Sequence, residues 1–227
     1  MAETLTAHRA PSFVRSTIGQ KVVMAVTGVI LVGFLFAHML GNLQMFLPDA
    51  EAINHYGRFL REALHGGGLW IARGVLLTSV LLHIAASWSL SRTSLKARPV
   101  PYKAVAHDAS TYASRTMRWS GPIVLLFVVY HLLHFTIGSV HPAFVEGDVY
   151  RNVIVGFSRW PVSLFYIVAM LALGLHLRHG VWSMLQTLGA SHPRWDGTRN
   201  AIATALTVVV ILGFLSVPLA VLAGVLK

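Results

Sequence analysis

Histidines are the residues of this sequence whose type and spacing suggest chemistry. Six of the twelve fall inside long apolar runs: His38, His83, His131, His134, His176 and His179. Ionisable groups at membrane depth are costly and usually face the interior of a helix bundle, so histidines on four successive helices indicate a shared internal site. A neutral imidazole is a good axial ligand for haem iron, and two histidines on facing helices can hold one haem between them.

Depth within each run predicts how the histidines pair. Counted from the charged ends of the runs at about 1.5 Å per residue, His38 and His131 lie toward the outer half, and His83 and His176 lie toward the inner half. The predicted pairs are therefore His38 with His131 and His83 with His176. The two members of each successive hairpin, His38 to His83 and His131 to His176, are each 45 residues apart, as if one hairpin had been used twice.

Two alternatives remain open from the spacing. His134 and His179 each follow another histidine by three residues, so they lie on nearly the same helix face and compete for the same role. A single intramembrane histidine is also more often a packing residue or part of a proton path than an iron ligand. Four histidines at depths that pair favour the haem interpretation over a purely structural one.

The elements that carry these histidines are transmembrane helices. Only 11% of the 227 residues are charged, 55% are hydrophobic and the mean hydropathy is +0.65, which is typical of an integral membrane protein. We predict an all-α fold in one membrane domain, residues 1–227, with no room for a soluble catalytic domain. A short surface helix is predicted near residues 51–64, and a loop is predicted after the third span. The five predicted spans are residues 20–46, 69–91, 119–139, 161–188 and 199–225.

The distribution of Lys and Arg predicts the orientation of the chain in the membrane, and the net charge indicates what kind of molecule it binds. With the N-terminus inside, twelve of the eighteen Lys and Arg residues face the cytoplasm, as the positive-inside rule requires, and the C-terminus lies outside. The first run is too long for a cleaved signal and is interpreted as a retained span. The predicted location is a bacterial-type inner (cytoplasmic) membrane. The net charge of +10 suits anionic lipid or a partner protein rather than nucleic acid. The absence of cysteine excludes thiolate metal sites and iron–sulfur ligation by this sequence.

Four stretches of the sequence resemble a known family. They are STIGQKVVMAVTG with AHMLGNLQMFL, LWIARGVLLTSVLLHIAASWSL with RPVPY, SRTMRWSGPIVLLFVVYHLLHFT, and LHLRHGVWSMLQTLG. The sequence is similar to the five-helix, dihaem cytochrome b558-type membrane-anchor subunit of succinate dehydrogenase and fumarate reductase, respiratory complex II. The four histidine motifs occur in the family's order and span nearly the whole sequence.

The resemblance implies two b haems and a set of ligands. It places the axial ligands at His38, His83, His131 and His176, paired as depth suggests, and leaves His134 and His179 as secondary candidates. It also implies two partner subunits, which are a flavoprotein with FAD and an iron–sulfur protein. Electrons would pass between the iron–sulfur protein and a membrane quinone, namely menaquinone. The subunit itself would not bind succinate, and the complex could form a higher oligomer.

The quinone site and the function have further alternatives. A quinone pocket at the cytoplasmic end is predicted from Arg15, Ser16, Lys21, Trp88, Arg92 and Trp182, and an outer pocket is equally compatible with the sequence. The competing functions are a cytochrome b anchor of a hydrogenase or formate dehydrogenase, and a haem-free transporter or scaffold that uses histidines for protons.

Overall fold

The computed structural model describes residues 13–97 and 112–227; for Arg15 and residues 112–115 it describes the backbone alone. Within these ranges the chain is helical and contains no strand, which confirms the all-α prediction. The α-helices are α1 (Thr17–Asn42), α2 (Ala52–Glu62), α3 (Gly67–Lys96), α4 (Tyr112–His131), α5 (Val149–Phe157), α6 (Trp160–Thr187) and α7 (Asp196–Leu222). The N-terminal segment before Phe13 and the predicted RPVPY motif lie outside the described residues.

Five helical segments are long and apolar enough to cross a membrane, as predicted. They are Thr17–Phe46, Gly67–Lys96, Thr116–Ile137, Trp160–Thr187 and Pro193–Leu222. A spanning helix satisfies all its backbone hydrogen bonds internally, which is why apolar runs of this length fold as helices in lipid. Many large apolar side chains on these segments are exposed, as lipid contact requires. The chain is therefore a multi-pass membrane protein.

The connections between spans differ in part from the prediction. The short surface helix is confirmed as α2, whereas the segment predicted as a loop after the third span contains α5. The sequence carried the signal for α5, because the Asp148 side chain accepts a hydrogen bond from the Arg151 backbone N–H and caps the helix. A π-helix, Leu132–Ile137, extends α4 and ends at Gly138, whose φ of 80° is readily adopted by glycine.

The helices form two similar halves, and the last helix, α7, packs against both. Helix α1 packs on α3, α4 packs on α6, and α7 packs on α6 and α1. Each half consists of a spanning helix, a short helix and a second spanning helix, in the order α1–α2–α3 and α4–α5–α6. We call the end of the bundle that holds Thr17 and Lys96 the inner end, and the end that holds Asn42 and Gly67 the outer end. These labels follow the predicted orientation.

Asn54 joins the two short helices at the outer end. Its side chain is buried, and its Nδ2 donates to Glu51 Oε1 and Asp148 Oδ1, each at 3.3 Å. Its Oδ1 accepts from the Tyr150 backbone N–H at 3.0 Å. The side-chain amide of Asn54 therefore provides hydrogen-bond partners for groups on both halves of the chain, where α2 and α5 meet.

Asn54→Ala is expected to destabilise the folded chain. The substitution leaves the Tyr150 N–H without its partner, and an unsatisfied buried donor costs about 1–3 kcal/mol. The apparent Tm of the purified chain in detergent measures the loss, expected at about 2–4 °C per kcal/mol. Asn200→Ala is the control, because Asn200 is exposed and donates only to the Asp196 carbonyl. Equal Tm values for the two variants would contradict this role of Asn54.

Candidate functional site

The outer pair of histidines meets across α1 and α4. The rings of His38 and His131 have centroids 5.8 Å apart and lie nearly perpendicular, at 81°. Phe34 stacks on His38 with centroids 5.4 Å apart, and Phe127 lies 5.8 Å from His131. Aromatic rings thus flank both imidazoles near the outer end of the bundle.

The inner pair of histidines meets across α3 and α6. The rings of His83 and His176 have centroids 6.3 Å apart. Glycines lie beside both rings, since a Cβ on Gly28 would lie 4.0 Å from Cε1 of His83, and one on Gly121 would lie 3.9 Å from Cε1 of His176. Small residues here leave space against the imidazoles that larger side chains would fill.

At both pairs the distance between ring centroids is compatible with one metal ion between the two imidazoles. Bonds from a first-row transition metal to an imidazole nitrogen are about 2 Å long, so rings on opposite sides of one ion have centres about 6 Å apart. Among residues 13–97 and 112–227, no three His, Cys, Asp or Glu side chains form a metal site by themselves. Two histidines are the number of protein ligands that iron takes in a haem with histidine on both sides, since the porphyrin supplies its other ligands. The residues present fit a haem with two histidine ligands at each pair.

Two hydroxyl groups hold the inner histidines. Thr27 Oγ1 lies 3.1 Å from His83 Nδ1, and Ser120 Oγ lies 3.3 Å from His176 Nδ1. Each hydroxyl precedes its histidine by 56 residues, and each joins the two spanning helices of one half. The same contact therefore occurs once in each half of the chain.

A hydroxyl group has one proton, so the direction of these bonds depends on which acceptor that proton reaches. Thr27 Oγ1 donates to the Val23 carbonyl at 2.8 Å, and Ser120 Oγ donates to the Met117 carbonyl at 3.3 Å. When the hydroxyl protons point to these carbonyls, the oxygens accept from Nδ1 of each histidine, and Nδ1 carries the proton. In that arrangement the lone pair of each neutral imidazole lies on Nε2, the nitrogen that remains for a metal.

The two rival histidines have other neighbours. His134 is fully buried in the π-helix, and its Nδ1 lies 3.0 Å from the Tyr166 hydroxyl. His179 lies beside Trp182, with ring centroids 6.0 Å apart. The predicted pairings, in contrast, bring His131 to His38 and His176 to His83.

The residues predicted for an inner quinone pocket have varied surroundings. Ser16 caps α1 by accepting from the Gly19 N–H, and its hydroxyl donates to the Phe13 carbonyl. Lys21 is exposed, and Arg92 lies over the exposed Trp88 ring at 5.7 Å. Trp182 is half-buried, while the side chain of Arg15 lies outside the described residues. These contacts do not gather the five residues with described side chains into one pocket.

Sequence patterns pointed to Trp182 but missed two further polar groups, on Gln20 and Arg199, that the structure places at the inner end. Gln20 Oε1, Trp182 Nε1 and Arg199 Nε are buried without a hydrogen-bond partner among the described residues. Arg199 lies over the Trp182 ring at 5.5 Å, pairs with Asp196 and donates to the Ala190 carbonyl. Buried polar atoms without partners are uncommon and mark places where a ligand or water completes the bonding. Arg199 could have been noticed as a charge at the start of the fifth span.

Comparison with protein families decides which family this architecture represents. The family described as succinate dehydrogenase/fumarate reductase transmembrane subunit matches residues 93–216, more than half of the chain. The chain belongs to this family. Searches of curated proteins and of solved structures find no significant match.

The matched region holds one member of each histidine pair. It contains His131 and His176 together with Ser120. The chain is thus a membrane subunit of a succinate dehydrogenase or fumarate reductase, and the family implies an anchor that associates with the catalytic subunits of that complex.

Proposed function

We propose that this succinate dehydrogenase/fumarate reductase transmembrane subunit is a dihaem cytochrome b that passes electrons between an iron–sulfur partner and membrane quinone, with menaquinone as the quinone. The observation that carries the proposal is the presence of two histidine pairs, with ring centroids 5.8 Å and 6.3 Å apart, in a member of this family. Haem iron, when bound, accepts and releases one electron at a time.

The proposed ligands are one histidine from each of four spanning helices. His38 and His131 hold the outer haem, and His83 and His176 hold the inner haem. His134 contacts Tyr166, and His179 contacts Trp182. These contacts support the proposal that the two histidines lie near the haem ligands without binding iron themselves. Thr27 and Ser120 orient the inner ligands through Nδ1, as partners outside the metal's own ligands commonly do.

The proposed quinone site lies at the inner end, which is the predicted cytoplasmic end and the end where we expect the iron–sulfur partner to dock. The unpartnered Gln20 Oε1 and Trp182 Nε1 support this position, because a quinone offers carbonyl oxygens and, when reduced, hydroxyl groups. The other proposed residues are Arg15, Ser16, Lys21, Trp88 and Arg92. The flavoprotein with FAD and the iron–sulfur protein are the proposed partners.

The haem content of the purified complex tests the proposal. We expect a dithionite-reduced minus oxidised visible spectrum of b type and a pyridine haemochrome value of two haems per chain. The measurement uses the complex isolated from membranes with its catalytic subunits, which also identifies those subunits by mass spectrometry. An intact complex without haem would show a bare anchor, and co-purification with a hydrogenase or formate dehydrogenase would assign the chain to another complex.

A further inference from the structure

Tyr166 links two histidines near the outer end of the bundle. Its hydroxyl lies 3.4 Å from His131 Nδ1 and 3.0 Å from His134 Nδ1. Tyr166 is 5% exposed, and His134 is 0% exposed. The three side chains therefore form a buried hydrogen-bonded series that connects α4, the π-helix and α6.

If His131 binds a metal through Nε2, one arrangement of the protons also gives the Tyr166 O–H an acceptor within the series. His131 Nδ1 then carries its proton and donates to the Tyr166 oxygen. The Tyr166 O–H is left to donate to His134 Nδ1, so the proton of neutral His134 lies on Nε2. His134 Nε2 is the one atom of the series that is buried without a hydrogen-bond partner.

His134 contacts Tyr166 from within the π-helix Leu132–Ile137. Hydrogen bonds in a π-helix run from residue i to residue i+5, so its side chains are spaced differently around the axis from those of α4. Gly156 accommodates the His134 ring, because a Cβ at this position would lie 3.0 Å from His134 Cε1. π-Helical turns occur frequently at functional sites, which agrees with a special position for His134.

The inner and outer histidines thus differ in what their hydroxyl partners bind next. The Thr27 and Ser120 hydroxyls donate to carbonyl groups of their own helices and end the hydrogen bonding there. The Tyr166 hydroxyl passes the hydrogen bond on to a second imidazole instead. A hydroxyl that donates to an imidazole is a stronger acceptor for the next bond, because bonds in a series polarise one another.

We propose that Tyr166 and His134 are positioning residues for the outer haem ligand His131, with His134 the terminal acceptor of the series and not an iron ligand. This inference rests on the proposed haem function. Tyr166 accepts from His131 Nδ1–H, increases the electron donation of the imidazole and so stabilises the oxidised state of the outer haem. The inner haem, held through Thr27 and Ser120, is independent of this series.

Redox titration of Tyr166→Phe in the intact complex tests the proposal. The expected result is a higher midpoint potential for the outer haem, an altered low-spin EPR signal for that haem, and an unchanged inner haem. Tyr130→Phe is the matched control, because Tyr130 stacks on His134 with centroids 5.5 Å apart in the same aromatic cluster. Assembly with the catalytic subunits is measured for each variant, so that a folding defect is recognised.

Two substitutions of His134 separate a positioning role from a ligand role. His134→Asn keeps an acceptor near the Tyr166 hydroxyl and is expected to retain wild-type spectra and potentials. His134→Leu removes the acceptor and is expected to raise the outer potential in the same direction as Tyr166→Phe, with both haems retained. Loss of a haem in His134→Asn would overturn the inference by making His134 a ligand.

The outcomes also separate this inference from the proposed function. Two haems in the wild type with no shift in Tyr166→Phe, or with equal shifts of both haems, would overturn the inference and leave the dihaem function standing. A wild-type complex without haem would overturn both.

Discussion

His83→Ala is expected to leave a complex with one haem in place of two, and His176→Ala is expected to lose the same haem. Both rings face one site across α3 and α6, so removal of either side chain takes away half of the axial ligation. His38→Ala and His131→Ala are expected to lose the other haem. The pyridine haemochrome value and the low-temperature reduced spectrum of each purified variant measure the loss.

Imidazole rescue separates loss of a ligand from loss of the fold. Each His→Ala substitution leaves space the size of the missing ring, and added imidazole can occupy it and restore the spectrum if the helices are in place. His179→Ala is the control, because its ring lies beside Trp182 rather than within a pair. Identical spectra for His38→Ala and His83→Ala would contradict the pairing and indicate a haem within one hairpin.

The spans and the depth of the histidines were predictable from the sequence, because both depend on local composition. A stretch of about 20 apolar residues crosses the membrane whatever its neighbours are, and the helical rise converts residue number into depth. The structure brings together the rings that depth had paired, His38 with His131 and His83 with His176. Their role as iron ligands stays a prediction.

The partners of the histidines were not predictable, because they depend on contacts between distant segments. Thr27 and His83 are 56 residues apart, and a threonine within an apolar run carries no sign of the imidazole it contacts. The sequence suggested only a rival ligand role for His134, because residues three apart on an α-helix lie on nearly the same face and His131 is three residues away. The π-helix changes that register, and no periodicity in LLHFTI announces it.

The ends of helices followed local rules that hydropathy alone does not include. Helix α3 continues to Lys96, beyond the predicted end at residue 91, because hydropathy marks where an apolar run ends and not where the helix ends. Helix α5 was missed because nine residues are too few for a hydropathy pattern, although Asp148 supplies an ordinary N-cap.

Thr27→Val together with Ser120→Ala is expected to weaken the inner haem about 10-fold in affinity while the outer haem is retained, as loss of partners behind a metal ligand commonly does. The substitutions remove both acceptors of the Nδ1 protons but keep the volume of Thr27 and nearly that of Ser120. His83 and His176 can then rotate, or they can adopt the tautomer in which Nε2 carries the proton. A protonated Nε2 has no lone pair with which to bind a metal. Transfer of haem to excess apomyoglobin, followed by visible absorbance, measures the retention of each haem.

Thr207→Val is the matched control for these hydroxyl substitutions. Thr207 is also a buried threonine on a spanning helix, but its Oγ1 has no hydrogen-bond partner among the described residues, so valine at this position is expected to leave both haems unchanged. A buried hydroxyl without a partner stabilises nothing, and its replacement by a methyl group of the same shape costs little. Equal haem loss from Thr207→Val and from the double variant would mean that any change of a buried hydroxyl loosens the bundle. Selective loss of the inner haem from the double variant alone would instead show that the two hydroxyls act on His83 and His176.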